Sequence, residues 1–166
     1  MRRPATILAF LSFFTLIQCQ TARAQEVAIG LGFGDFHAAQ ADSGPFLSLE
    51  YLGARNWDLF GFEAGLGVSG QVHQAGDTFV GLGIQGQRAL TKDWFVEVSV
   101  MPGLFSEGPA GNDLGSTIEF RSLVGLGRML RNGRRVSLAL SHISNASIAD
   151  RNPGLNAISL RWHMPL

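Results

Sequence analysis

Apolar side chains alternate with glycine along much of this chain. In the first such segment every second residue from Val27 to Phe33 is apolar, and the residues between them are alanine or glycine. Successive side chains of a β-strand point to opposite faces, so a period of two predicts a strand with one apolar and one small face. The 21 glycines greatly exceed ordinary usage and lack the regular spacing of collagen. The chain is therefore constrained to a sheet whose two faces differ in size and polarity.

Eight segments carry this alternation, and the sequence shows no amphipathic helix. Their second face holds glycine, serine, glutamine, glutamate and arginine, whereas a soluble sandwich or lipocalin-like barrel would have an apolar interior and a charged exterior. A small membrane barrel has lipid outside and a polar, tightly filled interior. The sequence therefore predicts an all-β fold, an eight-stranded antiparallel transmembrane β-barrel of the outer membrane. The segments lie near residues 27–34, 47–51, 60–69, 80–87, 94–101, 118–127, 136–144 and 156–162.

The first residues have the pattern of a secretory signal. Arg2 and Arg3 precede an apolar run over residues 7–17, and Ala22-Arg23-Ala24 supplies a small-x-small cleavage pattern. The run is shorter than the ~20 residues that a membrane-spanning helix needs. We predict a signal peptide over residues 1–24, cleaved near Ala24, and one barrel domain over residues 25–166.

The composition of the predicted mature chain excludes two further properties. The only cysteine, Cys19, lies within the signal, so the mature chain would contain no disulfide. Cleavage would leave ten basic against thirteen acidic residues. Nucleic-acid binding calls for a concentrated basic face, which this chain lacks, so no nucleic-acid partner is predicted.

The connections predict the orientation of the barrel. Short links fall at residues 53–58, 89–93 and 131–134, the last with the Asn132-Gly133 hairpin signal, and longer ones at 38–45, 70–77, 106–115 and 147–154. In such barrels short turns face the periplasm and longer loops face outside. We expect His37 and His73 to be solvated histidines of the outer loops. The charged side chains expected in an interior network are Glu50, Glu63, Glu97, Glu119 and Arg121, and those expected to anchor the periplasmic interface are Arg128, Arg131, Arg134 and Arg135.

Three polar residues interrupt the apolar face at the outer end of the last two strands. His142 and Ser144 continue the row of Leu138 and Leu140, and Asn156 shares a face with Ile158 on the final strand. Polar groups against hydrocarbon are costly and call for a functional reason. A serine with a neighbouring histidine is the minimum for a hydrolase, although residues two apart on a strand are separated by about 6.5–7 Å at the backbone.

The sequence around these residues resembles a known enzyme family. The pattern His142-x-Ser144-Asn145-Ala146, followed by Asn152-x-Gly154 and a C-terminal strand, is similar to that of the lipid A 3-O-deacylases (PagL-type enzymes). The resemblance implies an outer-membrane barrel that hydrolyses the ester-linked 3-hydroxyacyl chain at the 3-position of lipid A and thereby remodels lipopolysaccharide. It implies that Ser144 and His142 are catalytic, that Asn145 and Asn152 form or position the oxyanion pocket, and that no cofactor or metal is needed.

The third catalytic position departs from the family. The glutamate of the family's triad aligns with Asn156, whose amide can orient an imidazole but cannot supply a negative charge. Asp150, in the outer loop at residues 147–154, is the alternative third member of the triad. Arg151 is the only basic residue of that loop, and we predict that it binds a phosphate or acidic sugar of the substrate.

A second function is compatible with the same residues. A non-catalytic structural or adhesion-type barrel could carry Asn156 as the sign of a decayed site. The sequence also leaves open whether the barrel forms a homodimer.

Overall fold

Nine β-strands and one 3₁₀ turn make up the described part of the chain, which in this computed structural model comprises residues 25–37 and 41–166. The predicted signal peptide lies outside these residues. The strands are β1 (Glu26–Phe36), β2 (Gly44–Leu52), β3 (Trp57–Leu59), β4 (Phe62–His73), β5 (Thr78–Ala89), β6 (Trp94–Ser106), β7 (Ile118–Met129), β8 (Arg135–Ser144) and β9 (Leu155–Pro165), and the 3₁₀ turn is Arg131–Gly133.

The sheet closes on itself. All pairings are antiparallel, and β1 contacts both β2 and β9, with Glu26 opposite Leu52 on one side and Pro165 on the other. The three-residue strand β3 pairs only with β4 and extends the sheet locally, while β2 pairs directly with β4. Eight strands therefore form the closed barrel, as predicted. The described residues include no helix long and apolar enough to cross a membrane.

The barrel has an apolar exterior and a tightly filled interior. Ile29, Leu31 and Phe33 are 42–65% exposed on the outer surface, where the strand alternation places them. Gly30 points inward, and a Cβ atom at that position would lie 2.3 Å from Ser48 Oγ. The Ser48 and Arg161 side chains thus fill the interior beside Gly30 and would have to move to admit a larger residue. An apolar exterior over a polar interior is the arrangement of a transmembrane barrel.

The links define two ends, which we call the loop end (residues 37, 41–43, 74–77, 107–117 and 145–154) and the turn end (53–61, 90–93 and 130–134). The long link predicted at 70–77 is wrong, because β4 continues to His73 and leaves four residues. Phe60 belongs to a turn and not to a strand, with a φ of 56° followed by 80° at Gly61. Asn132 and Gly133 both have positive φ, 64° and 73°, as the hairpin signal requires.

The interior differs between the two ends. Near the loop end it is an apolar cluster of Phe36, Phe79, Phe105, Leu114, Ile143 and Leu155. Towards the turn end it is an ion network in which Arg161 bridges Glu50, at 2.9 Å, and Glu97, at 2.6 Å. The predicted interior network is confirmed for Glu50, Glu97 and Arg121, which are buried and paired. Glu119 is also buried, but it forms no ion pair with a described residue.

Three predictions for polar residues need correction. Glu63 is exposed near the turn end, because it is the second residue of β4 and lies beyond the closed interior. Arg135 is buried: it pairs with Glu26 inside the barrel and packs 4.4 Å from the centre of the Phe95 ring, so it does not anchor the interface. His73 is also buried and stacks on Phe46 with the ring centres 5.0 Å apart, so it is not a solvated loop histidine.

Candidate active site

The outward row of β8 ends in polar residues. Val136, Leu138 and Leu140 precede His142 and Ser144 on this face, where His142 is exposed and Ser144 is half-buried. On the neighbouring strand β7, Ser122 lies opposite His142 and its Oγ donates to the His142 carbonyl at 3.4 Å. The structure thus places the histidine and the serine on the lipid-facing surface near the loop end.

His142 is held by Asn156 of the neighbouring strand. The two residues are opposite one another in the β8–β9 register, and His142 Nδ1 lies 2.8 Å from Asn156 Oδ1. Because an amide oxygen can only accept, this contact requires a hydrogen on Nδ1, which leaves Nε2 without one in the neutral ring. Nε2 can then act as a base. The described contacts of His142 do not include Asp150, which is exposed on the loop between the two strands.

Two residues of β1 and the link after it join this group. His37 Nε2 lies 3.2 Å from Asn156 Nδ2, and Asp35 Oδ2 lies 3.6 Å from the same His37 nitrogen. Asp35 is opposite Asn156 in the β1–β9 register. His37 is exposed, as expected, but its contact with Asn156 was not predicted. The alternation contained the signal, since Asp35 and His37 continue the outward row of Ile29, Leu31 and Phe33.

The pair formed by Ser144 and His142 is not closed by a hydrogen bond. Among residues 25–37 and 41–166, no hydrogen bond involves the Ser144 hydroxyl. The side chains point the same way from positions two apart, about 6.5–7 Å at the backbone. A rotation of one or both side chains is needed to join them, and catalytic hydrogen bonds are commonly long before substrate binds.

The loop after β8 is organised by Asn145. Its side chain is fully buried, its Nδ2 donates to the carbonyls of Leu114 at 3.2 Å and Arg151 at 2.6 Å, and its Oδ1 accepts from Ser147 N at 3.0 Å. Its own backbone N–H donates to Asn152 Oδ1 at 3.0 Å. The Asn145 amide is thus fully engaged in holding the loop, whereas Asn152 is exposed and its Nδ2 makes no hydrogen bond to a described residue.

Gly154, the last residue of the loop between β8 and β9, packs against His142. It has a φ of +75°, a region that L-residues rarely adopt, and a Cβ atom there would lie 3.0 Å from His142 Cε1. Its carbonyl accepts from His37 N at 3.1 Å. Gly154 therefore sets the distance between the loop and both histidines.

Arg151 lies on the same loop and is engaged by an acid of the neighbouring loop. Its Nη1 is 2.8 Å from Asp113 Oδ2, and both side chains are substantially exposed. Gly115 allows the two loops to meet, since a Cβ atom there would lie 2.1 Å from the Arg151 carbonyl. Arg151 is thus at the solvent-facing rim of the loop end, without a described contact to His142.

A groove on the outer surface begins at the histidine. It has a volume of about 420 Å³, and its walls come from β6, β7, β8 and β9. The apolar lining includes Val98, Val100, Val124 and Leu140, and His142 and Asn156 border it. No group of three potential metal ligands occurs among the described residues.

This membrane barrel carries a serine and a histidine on its lipid-facing surface beside an apolar groove. These are the residue types that a hydrolase acting on lipid would need. Residues 44–165 match the family model for "Lipid A 3-O-deacylase (PagL)". The chain belongs to this family.

The relatives agree with this assignment. The chain is 28% identical over 164 residues to lipid A deacylase PagL of Bordetella bronchiseptica, covering 88% of each chain. It is 32% identical over 73 residues to the Pseudomonas aeruginosa protein of the same name, covering 43% of this chain and 42% of that one. The crystal structure of the outer membrane enzyme PagL has the same fold, with a TM-score of 0.65 at 21% identity, over 85% of this chain and 99% of that one. None of these findings supports a homodimer.

Proposed function

We propose that this protein is an outer-membrane serine esterase that removes the ester-linked 3-hydroxyacyl chain from the 3-position of lipid A. The observation that carries the proposal is the 2.8 Å contact between His142 Nδ1 and Asn156 Oδ1 on the lipid-facing surface, beside Ser144. In a soluble hydrolase a serine and histidine pair of this kind would lie in a cleft that is open to water. Here the group faces the membrane, where the substrate of the family is found.

The residues support a two-step acyl transfer. Ser144 Oγ attacks the ester carbonyl while His142 Nε2 takes its proton, and the resulting imidazolium then protonates the sugar oxygen as that oxygen leaves. A water molecule, deprotonated by the same nitrogen, then attacks the acyl-serine, and the imidazolium returns that proton to Ser144 Oγ as the free fatty acid leaves. Asn156 holds the imidazole by its Nδ1–H throughout. No cofactor is needed for either step.

Asn152 is the side chain best placed to bind the oxyanion. Its Oδ1 is occupied by the Asn145 N–H, which turns the two Nδ2 hydrogens away from that bond and leaves them available as donors. Donors aimed at a developing oxyanion contribute a factor of about 10²–10³ in turnover. Asn145 acts indirectly: its buried amide fixes the loop that carries Asn152.

The surroundings of the site match the two parts of a lipid A molecule. The apolar groove of about 420 Å³ lies along the barrel wall from His142, where an acyl chain would lie. Arg151 lies at the rim of the loop end, where phosphate or acidic sugar groups would lie if that end faces outwards. Export through the predicted signal peptide over residues 1–24, with cleavage near Ala24, belongs to the same proposal.

The test is lipid A mass spectrometry of Gram-negative cells expressing either the wild-type protein or Ser144→Ala. Wild type should remove one 3-hydroxyacyl chain, and Ser144→Ala should leave lipid A unchanged while migrating in gels as a folded, heat-modifiable barrel. A wild-type protein that folds and leaves lipid A intact would instead support the structural or adhesion-type barrel. Loss of a chain from a position other than 3 would refute the positional assignment alone.

A further inference from the structure

An asparagine in the place of a triad acid creates an orientation problem. A carboxylate has two equivalent oxygens, so it accepts the imidazole N–H whichever way it is turned. An amide has one oxygen and one NH₂ group, and only the oxygen can accept. If Asn156 turned by half a rotation, its Nδ2 would face His142 Nδ1, which would then have to be the acceptor. The hydrogen of His142 would move to Nε2, and that nitrogen could not act as a base.

His37 resolves this ambiguity. Its Nε2 lies 3.2 Å from Asn156 Nδ2, on the opposite side of the amide from His142. A ring nitrogen without hydrogen accepts from Nδ2 and thereby directs Oδ1 towards His142, which lies 2.8 Å away. We propose that His37 is a positioning residue that fixes the orientation of the Asn156 amide and, through it, the tautomer of His142. Its effect on catalysis rests on the esterase function proposed above.

The backbone holds His37 in place for this role. The His37 N–H donates to the Gly154 carbonyl at 3.1 Å, which ties the end of β1 to the loop beside His142. The β1–β9 register sets Asp35 opposite Asn156, so the chain carries His37 past the end of Asn156's strand. One wall of the site is therefore built by the closure of the barrel between its first and last strands.

Asp35 competes for the same ring nitrogen. Its Oδ2 lies 3.6 Å from His37 Nε2, longer than the 3.2 Å contact with Asn156, and its Oδ1 accepts from Ser43 Oγ at 3.0 Å. A hydrogen on His37 Nε2 would be donated towards Asp35 and would oppose Asn156 Nδ2 as a second donor. The productive arrangement therefore requires His37 to hold its hydrogen on Nδ1.

The direct test is imidazole ¹⁵N NMR of the refolded barrel in detergent micelles, which reports the tautomer without requiring any activity. Wild type should show His142 with its hydrogen on Nδ1. His37→Ala should yield a mixture of tautomers, whereas His37→Glu, whose carboxylate can only accept from Asn156 Nδ2, should retain the wild-type form. Gln74→Ala, an exposed change at the loop end, is the control and should leave the spectrum unaltered.

Kinetics on lipid A supply the second readout. His37→Ala should lower kcat about tenfold with little change in KM, since it disturbs a proton acceptor and not substrate binding. The same change in an Asn156→Glu background should have no effect, because a carboxylate needs no orienting partner. Asp35→Asn should leave the His142 tautomer in place.

Two outcomes would overturn the proposal. One is an unchanged His142 tautomer in His37→Ala. The other is an Asp35→Asn variant that shifts the tautomer as far as His37→Ala does, which would assign the effect to charge. A tautomer shift in a protein that never deacylates lipid A would uphold the role of His37 and refute the esterase function.

Discussion

The interior ion network and the exterior site use the same kinds of polar groups in opposite ways. Inside, the carboxylates of the ion network have several partners: Glu26 contacts both Arg55 and Arg135, Glu50 contacts Arg121 and Arg161, and Arg161 also contacts Glu97. On the outer surface the groups form an open chain from His142 through Asn156 to His37, with one contact at each step.

This difference in the number of partners indicates that the interior network serves stability and the exterior contacts serve catalysis. Buried charges need redundant partners because an unpaired one is costly inside the barrel. The exterior chain borders lipid and carries no buried charge, so its single contacts contribute little to folding but determine which nitrogen of His142 carries hydrogen. Changes in the interior should therefore alter unfolding, and changes in the exterior chain should alter turnover. The predictions below test that division.

The largest effect is expected for Glu50→Leu in the interior. Glu50 is paired with Arg121 at 2.7 Å and with Arg161, and its loss leaves Arg121 buried without a carboxylate. The free energy of unfolding should fall by about 3–5 kcal/mol, measured by urea titration of the refolded barrel. The double variant Glu50→Leu/Arg121→Leu should recover part of this loss. Equal turnover per folded molecule is expected, and a loss of turnover without destabilisation would contradict the division.

A smaller effect, on turnover alone, is expected for Asn156→Ala. Removal of the amide leaves the His142 tautomer undirected, so kcat should fall on the order of 100-fold. Because Asn156 is exposed, the free energy of unfolding should stay within about 0.5 kcal/mol of wild type. Asn156→Glu should raise kcat, since a carboxylate also stabilises the imidazolium.

Asp150→Ala is the matched control for Asn156 and should change kcat little. The assignment of the third catalytic position would move to the loop if Asp150→Ala abolished deacylation while Asn156→Ala did not.

Strand alternation was sufficient to predict the fold and the face of the site. It placed His142, Ser144 and Asn156 outwards because each of them lies in a row whose remaining members are clearly apolar. It could also have placed Asp35 and His37 there, since both follow Phe33 at intervals of two. The alternation alone does not show, however, which residues of the first and last strands face each other. The pairing of β1 with β9 is what brings His37 to Asn156.

The loops were beyond this reasoning for a physical reason. The Asn145 amide is oriented by the carbonyls of Leu114 and Arg151, the first of which is 31 positions away in sequence. A period of two carries no information on such contacts, because loop residues have no common face. The buried position of Arg135 is a related case. Its place beside a turn predicts an interfacial arginine, but its ion pair with Glu26 holds it inside the barrel.

The third prediction concerns the distance between Gly154 and His142. Gly154→Ala should lower kcat about tenfold, because the added methyl group would meet His142 Cε1 at 3.0 Å and displace the imidazole. The positive φ also costs about 1–2 kcal/mol for an L-residue. Gly111→Ala separates the two effects, since Gly111 has a φ of +73° and no atom within 4 Å of the added Cβ. A comparable loss of kcat in Gly111→Ala would mean that backbone strain alone explains the result.

The smallest effect is expected for Arg151→Ala, at the rim of the site. Its pair with Asp113 is exposed on both sides, so the free energy of unfolding should change by no more than about 1 kcal/mol. If the guanidinium binds a lipid A phosphate, KM on phosphorylated lipid A should rise about threefold to tenfold while kcat is retained, since the rim does not touch the reacting ester. Dephosphorylated lipid A should show no difference between the variant and wild type. Arg151→Lys keeps the charge but loses the forked donor geometry, so an intermediate KM is expected. Equal KM values for wild type and Arg151→Ala on both substrates would show that Arg151 serves only to pair with Asp113.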